Sequence, residues 1–273
     1  MLKNDNYFEI EPNIDMYYID RGKGIPLVFV PGWTFTSDVF QYQIDYYSKN
    51  YRVIAIDPRS YGKSTIALQG NDYNTHIKDL VKLLNYLQLE NIILVGWSFG
   101  GLVTWGYIEE LGLSNVKALV NIDITPKQLS INKDDWVGGE IDEISNNYTY
   151  NMNSNRSLRR FMLPFTTEFM VERELSKEEI NEIIKYSIRT PYYIARELYA
   201  SGMFLNKTKA AKLVDQSIPS CMFISEPRAG VGVPFMNRYF PNTKVFVLGR
   251  HMMFWEYPDK FNNLLDEFLS EAL

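Results

Sequence analysis

The stretch NIILVGWSFGG, residues 91–101, decides the fold. An apolar run of strand length breaks into glycines around one serine, and a second apolar stretch, LVTWGYIEEL, follows at residues 102–111. Gly96, Ser98 and Gly100 fit the pattern G-x-S-x-G, with a strand before it and a helix after it. The glycines have a steric reason. A sharp strand-to-helix turn leaves no room for side chains beside the serine, and it forces the serine into a strained conformation that lifts its hydroxyl clear of the backbone. The helix that starts there aims its first N–H groups, and the positive end of its dipole, at the same point. Ser98 is therefore the candidate nucleophile.

A serine needs a base to become reactive. The chain has only two histidines, His76 and His251. His76 lies inside the amphipathic stretch YNTHIKDLVKLL, where it is expected to face solvent or a neighbouring helix. His251 follows the apolar run TKVFVLG in a loop before the last helix. Loops at the C-terminal ends of parallel strands are where open α/β sheets carry their sites, so His251 is the candidate base.

Outward from this turn the same plan repeats. IPLVFVPGW, YRVIAIDPRSYG and VKALVNIDITP are further apolar runs ending in turn residues. Strands without polar alternation are covered on both faces, as in a parallel sheet. Between them, YNTHIKDLVKLLNYLQL sets Ile77, Leu80, Val81, Leu84 and Leu87 at helical spacing, and LVTWGYIEEL stops before Gly112. The beat is lost from about Lys127 to Lys207 and returns with IPSCMFISE, TKVFVLG and the amphipathic PDKFNNLLDEFLSEAL. The predicted fold is α/β, a mostly parallel sheet flanked by helices. Residues 1–126 and 208–273 form the core domain, and a helical cap, 127–207, is inserted before the last strands.

The totals narrow the function. Of 273 residues 46% are hydrophobic and 22% charged, an ordinary globular composition. A formal net charge of -5 argues against a nucleic-acid binder, which needs a basic face. One cysteine excludes an internal disulfide, and Cys221, in SCMFIS, reads as an inert buried strand residue. The first twenty residues lack a basic-then-apolar signal pattern, and no apolar run approaches the roughly 20 residues that span a bilayer. The expectation is a cytoplasmic protein, monomer or homodimer, whose partner is a small-molecule substrate rather than a nucleic acid or a membrane.

Four segments together resemble the α/β-hydrolase superfamily, in its serine-nucleophile, cap-bearing, esterase- or lactonase-like form. VFVPGW resembles the His-Gly-x turn of that family, with Pro31 in place of the histidine. DPRSYGKS resembles the D-x-R-G-x-G-x-S segment, with Ser60 where glycine is usual. GWSFGG matches the nucleophile elbow, with Trp97 where many members have histidine. GRHMMFWEYPDKF resembles the segment that carries the catalytic histidine. The resemblance covers nearly the whole chain outside the insert. It implies an oxyanion hole made of the backbone N–H groups of Phe99 and Trp33, and no metal or organic cofactor.

The third member of the triad departs from the family pattern. The acid usually follows the strand read here as SCMFISE, but that position holds Arg228 or Ala229. Glu226 lies two positions early. Asp123 ends the earlier strand VKALVNID, where haloalkane dehalogenases and certain lipases carry their acid. Either keeps the order serine, acid, histidine; Asp123 is preferred and Glu226 is the alternative. Asp57 is read as structural, bracing its turn with Arg59, and Asp79 as a helix-surface or capping charge.

The insert is rich in aromatic residues and methionine, which suits a small or medium apolar acyl or alcohol group. Trp33, Trp97, Phe99, Trp136 and Met252 are the expected pocket residues. Arg156, Arg159 and Arg160 are read as a solvated helix face. The implied function is a serine hydrolase that cleaves a carboxylic ester, thioester or lactone through an acyl-enzyme. The alternatives are a carbon–carbon bond hydrolase or cofactor-free perhydrolase with the same triad, or a low-turnover ligand-binding protein on the same scaffold. A dehalogenase is disfavoured, because those relatives use an aspartate where Ser98 stands.

Overall fold

The computed structural model describes residues 5–132 and 134–273. Its frame is an eight-stranded sheet in the order β1-β2-β4-β3-β5-β6-β7-β8. The strands are β1 Asp5–Glu11, β2 Ile14–Gly22, β3 Pro26–Val30, β4 Arg52–Ile56, β5 Ile92–Trp97, β6 Val116–Ile122, β7 Ser220–Ile224 and β8 Lys244–Val247. β1 and β2 pair antiparallel, as do β2 and β4; every pair from β4 to β8 is parallel. Every residue of β3, β5 and β7 is buried, which is why these strands read as unbroken apolar runs. Cys221 is buried in β7 with a free thiol, and burial pushes that thiol well up from its ordinary value.

Two groups of helices flank the sheet. α1 (Gln41–Tyr47) packs with α10 (Met253–Glu256) and α11 (Pro258–Ala272); α3 (Phe99–Leu111) packs with α2 (Tyr73–Tyr86) and α8 (Thr208–Ser217). The helix limits follow local chemistry. Asp72 caps α2 by accepting the Thr75 N–H at 3.0 Å, and α3 stops at Gly112, whose φ of 73° a residue with a Cβ rarely adopts.

Residues 127–207 make a helical excursion between β6 and α8. It is closed at its base, where the Lys207 N–H donates to the Pro126 carbonyl at 2.7 Å and Lys127 bridges Asn206. It contains α4 (Ile141–Asn146), α5 (Asn155–Pro164), α6 (Lys177–Ser187) and α7 (Tyr192–Met203). π-helical turns cover Asn147–Asn151 and Phe165–Met170. α6 starts with a reciprocal capping box between Ser176 and Glu179.

Three sequence expectations need correction. Asp57 does brace its turn, but through the N–H groups of Ser37 and Lys63, at 2.7 and 2.8 Å, and not through Arg59. Arg59 turns away to a two-pronged pair with Asp79, at 2.8 and 2.9 Å, and also meets Glu11. Asp79 is therefore buried and paired rather than a surface or capping charge. His76 is buried rather than solvent-facing, with the rings of Tyr61 and Tyr73 each 5.4 Å away.

The remaining helix, α9 (Glu226–Tyr239), was not visible in the sequence. Gly230, Gly232 and Pro234 interrupt its pattern, and each disfavours a helix interior.

Candidate active site

The turn between β5 and α3 places Ser98 at φ 52° and ψ −133°. That left-handed backbone is held from both sides. The Ser98 N–H donates to the Ile122 carbonyl at 2.9 Å, and the Ser98 carbonyl accepts the Gly101 N–H at 2.8 Å. The steric case for glycine holds at Gly96, where a Cβ would lie 2.6 Å from the Gly101 Cα, and equally at Gly100 and Gly32. A Cβ on Gly100 would collide with the Val30 carbonyl, and one on Gly32 would lie 2.8 Å from the Ser98 Cβ. The Gly32–Trp33 turn therefore lies directly against the serine. The N–H groups of Trp33 and Phe99 find no acceptor among the described residues.

The carboxylate that reaches the histidine is Asp123. Its Oδ2 lies 2.6 Å from His251 Nδ1. The parallel register sets this up. Ile122 pairs with Phe223, so Asp123 leaves β6 beside the end of β7, and its N–H donates to the Phe223 carbonyl at 2.7 Å. Its φ of 49° turns the carboxylate, and the Ser225 N–H donates to Oδ1 at 2.9 Å. Glu226 instead begins α9 with its side chain exposed.

Burial alone would raise the Asp123 carboxyl. The hydrogen bond and charge of His251, with Arg228 4.0 Å away and the Ser225 N–H, hold it below its ordinary value. For His251, burial pushes the imidazole down and Arg228 adds to that, while Asp123 pushes back; the result lies below the ordinary histidine value. A neutral imidazole with Nδ1 held by a carboxylate presents Nε2 as a proton acceptor.

Ser98, His251 and Asp123 all border one cavity of about 360 Å³. Trp33, Phe99, Ile124, Phe161, Phe165 and Phe169 give it a largely apolar wall, with Tyr199 and Met203 from α7. The wall has an order that the sequence reading missed. The rings of Phe161, Phe165 and Phe169 stack in series at 5.5 and 4.9 Å, and Phe169 then covers the His251 imidazole at 4.6 Å. The F-x-x-x-F-x-x-x-F spacing was the available signal. It becomes a continuous stack because α5 runs straight into the π-helical turn.

Of the five expected pocket residues, Trp33 and Phe99 line the cavity, and the other three do not. Trp97 is fully buried behind the serine, edge-on to Phe35 and Phe254, with its indole N–H on the His251 carbonyl. Trp136 packs against Phe235, and Met252 is fully buried with its N–H on the Met170 carbonyl. Arg228, at the position where the family acid was sought, does line the cavity, with its guanidinium 4.9 Å from the Phe169 ring. Arg156, Arg159 and Arg160 are exposed and lie on a separate surface groove with Ile180 and Ile184.

A serine on a strained strand-to-helix turn and a carboxylate–histidine pair on the adjoining strand ends are the arrangement of α/β-hydrolases. Residues 25–167 match the family described as alpha/beta hydrolase fold, and the chain belongs to that family.

Among curated relatives, the AB hydrolase superfamily protein YisY of Bacillus subtilis is 34% identical over 116 residues, 42% of this chain and 43% of its own length. A putative non-heme chloroperoxidase of Synechocystis is 35% identical over 126 residues, 45% of this chain and 46% of its own. The chain thus spans less than half the length of these relatives. A pimeloyl-[acyl-carrier protein] methyl ester esterase of Legionella pneumophila is 25% identical over 258 residues, 92% of this chain and 98% of its own. In three dimensions a bromoperoxidase from Bacillus anthracis is similar at a TM-score of 0.86 and 23% identity, covering 98% of this chain and 100% of its own. At that identity the likeness shows the fold alone. Among the described residues, no helix is long and apolar enough to cross a membrane.

Proposed function

We propose that this chain is a serine hydrolase that cleaves a small or medium, largely apolar carboxylic ester, thioester or lactone through an acyl-enzyme on Ser98. The observation that carries this reading is the buried Asp123–His251 pair, 2.6 Å apart, on the wall of the cavity that holds Ser98. His251 Nε2 takes the Ser98 proton as Oγ attacks the carbonyl carbon. The developing oxyanion is met by the Trp33 and Phe99 N–H groups, each worth about 10²–10³ in rate. His251 passes the proton to the leaving oxygen or sulfur, then activates a water that cleaves the acyl-enzyme. The aromatic wall supports an apolar acyl or alcohol group, and residues 127–207 act as the lid that excludes water. A cytoplasmic location belongs to the same reading.

A perhydrolase is the second reading, supported by the relatives named non-heme chloroperoxidase. There, hydrogen peroxide replaces water in the second step and the acyl group leaves as a peracid, with no change in the residues used.

The test is labelling by a fluorophosphonate, mapped by mass, beside turnover of a short-chain aryl ester. One adduct on Ser98, and loss of turnover in both Ser98→Ala and His251→Ala, are expected. Turnover that survives both substitutions would overturn the mechanism. Peracid formed from an acid and hydrogen peroxide, at a rate above ester hydrolysis, would move the second reading to the front.

A further inference from the structure

We propose that Glu256 is a positioning residue that clasps the helical insert to the histidine loop and so keeps Phe169 seated on the His251 imidazole. This rests on the hydrolase reading of Ser98 and His251. The stretch 168–173 of the insert runs alongside the stretch 250–257. The Arg250 guanidinium donates to the Glu168 carbonyl, the His251 N–H to the Phe169 carbonyl at 3.4 Å, and the Met252 N–H to the Met170 carbonyl at 2.8 Å. The chain then becomes extended at Val171, and the two following N–H groups have no partner in a helix or strand.

Both of those N–H groups converge on the Glu256 carboxylate. The Glu172 N–H reaches its two oxygens at 3.1 Å each, and the Arg173 N–H reaches Oε1 at 2.9 Å. The Tyr257 hydroxyl also donates to the Glu172 carboxylate. Glu256 follows His251 by five residues, at the end of α10. Two successive amides that meet one carboxylate form a small anion nest, and bonds to an ionised acceptor are the stronger kind.

The clasp matters because of what it fixes. Phe169, three residues before the first clasped amide, is the last ring of the aromatic stack and covers the imidazole. The weak 3.4 Å bond from His251 to the Phe169 carbonyl is a poor anchor by itself. The clasp is solvent-facing, so its loss changes global stability little. Its effect falls on the seat of Phe169 and on the water that reaches His251.

The test compares Glu256→Ala, Glu256→Gln and Phe169→Ala with wild type. Glu256→Gln removes the charge but keeps an oxygen at the Oε1 position, which alone takes both amides. Glu256→Ala is expected to lower kcat/KM on an aryl ester about tenfold, mostly in kcat, as a loosened site does. Its acid limb is expected to rise by about 0.3–0.5 pH unit, because a wetter imidazole is more easily protonated. Asp123 and Arg228, the charges that act on His251, and Glu143 and Glu168, which line the same cavity, are unchanged in every variant. Glu256→Gln should stay within about twofold of wild type, and Phe169→Ala should move both readouts further than Glu256→Ala.

An acid limb unmoved in Glu256→Ala, or a Gln variant as impaired as the Ala variant, would overturn the proposal. Titration of the His251 imidazole by NMR reads the same displacement without turnover, with His76 the only other histidine signal. Absence of turnover in wild type would thus count against the hydrolase reading and leave the clasp testable.

Discussion

The Trp97 indole N–H donates to the His251 carbonyl across 2.8 Å, so the residue before Ser98 holds the main chain of His251. The centres of the two rings lie 5.4 Å apart. The serine turn and the histidine loop come from strands β5 and β8, with β6 and β7 between them in the sheet, yet this bond ties them together.

Trp97→Phe should therefore separate packing from positioning. The ring is largely kept, and the His251 carbonyl loses its donor. A loss of about 1–3 kcal/mol in stability is expected from the buried carbonyl left unpaired. The fall in kcat/KM should exceed what the folded fraction explains. Urea denaturation and initial rates, measured on the same preparation, check both.

The acid assignment has a direct contrast. Asp123→Asn should slow acylation by about 10²–10⁴-fold, because the amide no longer selects the imidazole tautomer that accepts the Ser98 proton. Glu226→Gln should leave acylation unchanged, since Glu226 is exposed at the start of α9. The rate of fluorophosphonate labelling reads this without any knowledge of the substrate.

The pH profile follows from the surroundings of His251. Only the neutral imidazole accepts a proton, and burial, aided by Arg228, holds the group below its ordinary value of 6.5. Activity should persist below pH 6.5 and fall as the pH drops through the depressed value. Arg228→Gln removes a cation that opposes protonation, so its acid limb should lie at higher pH than that of wild type. A profile of kcat/KM against pH for the two proteins tests the sign.

His76 makes a separate prediction about stability. Burial lowers it from 6.5 to about 4. Below pH 6.5 the unfolded chain takes up a proton that the folded chain refuses, so stability is lost as the pH falls from 6.5 through 4. The full effect is about 3 kcal/mol. His76→Phe, which keeps an aromatic ring between Tyr61 and Tyr73, should flatten this dependence. Urea midpoints at neutral and mildly acid pH for both proteins measure it.

Much of this was legible because it depends on local pattern. The buried strands, the glycines around Ser98 and the loop position of His251 are each dictated within a dozen residues. What was not legible depends on pairings across the sheet. Asp123 is preferred over Glu226 from the sequence, but only the β6–β7 register puts its carboxylate beside His251. Arg59 was matched with its sequence neighbour Asp57, whereas its bidentate partner, Asp79, comes from α2. Trp97 and Met252 looked like wall residues because they neighbour Ser98 and His251 in sequence, and Trp136 because it belongs to the aromatic-rich insert. Their burial behind the site is set by side-chain direction, which the sequence does not show.

Ser98 and Asp123 both sit at positive φ, in conformations that cost a residue with a side chain about 1–3 kcal/mol each. Two of the three residues assigned to the proposed triad are thus among the residues held at positive φ. Glycine at either place would relax the backbone and remove a side chain on which the proposed mechanism depends. A library of variants sorted only for heat resistance would enrich such chains, so any effort to harden this protein must screen for turnover at every round.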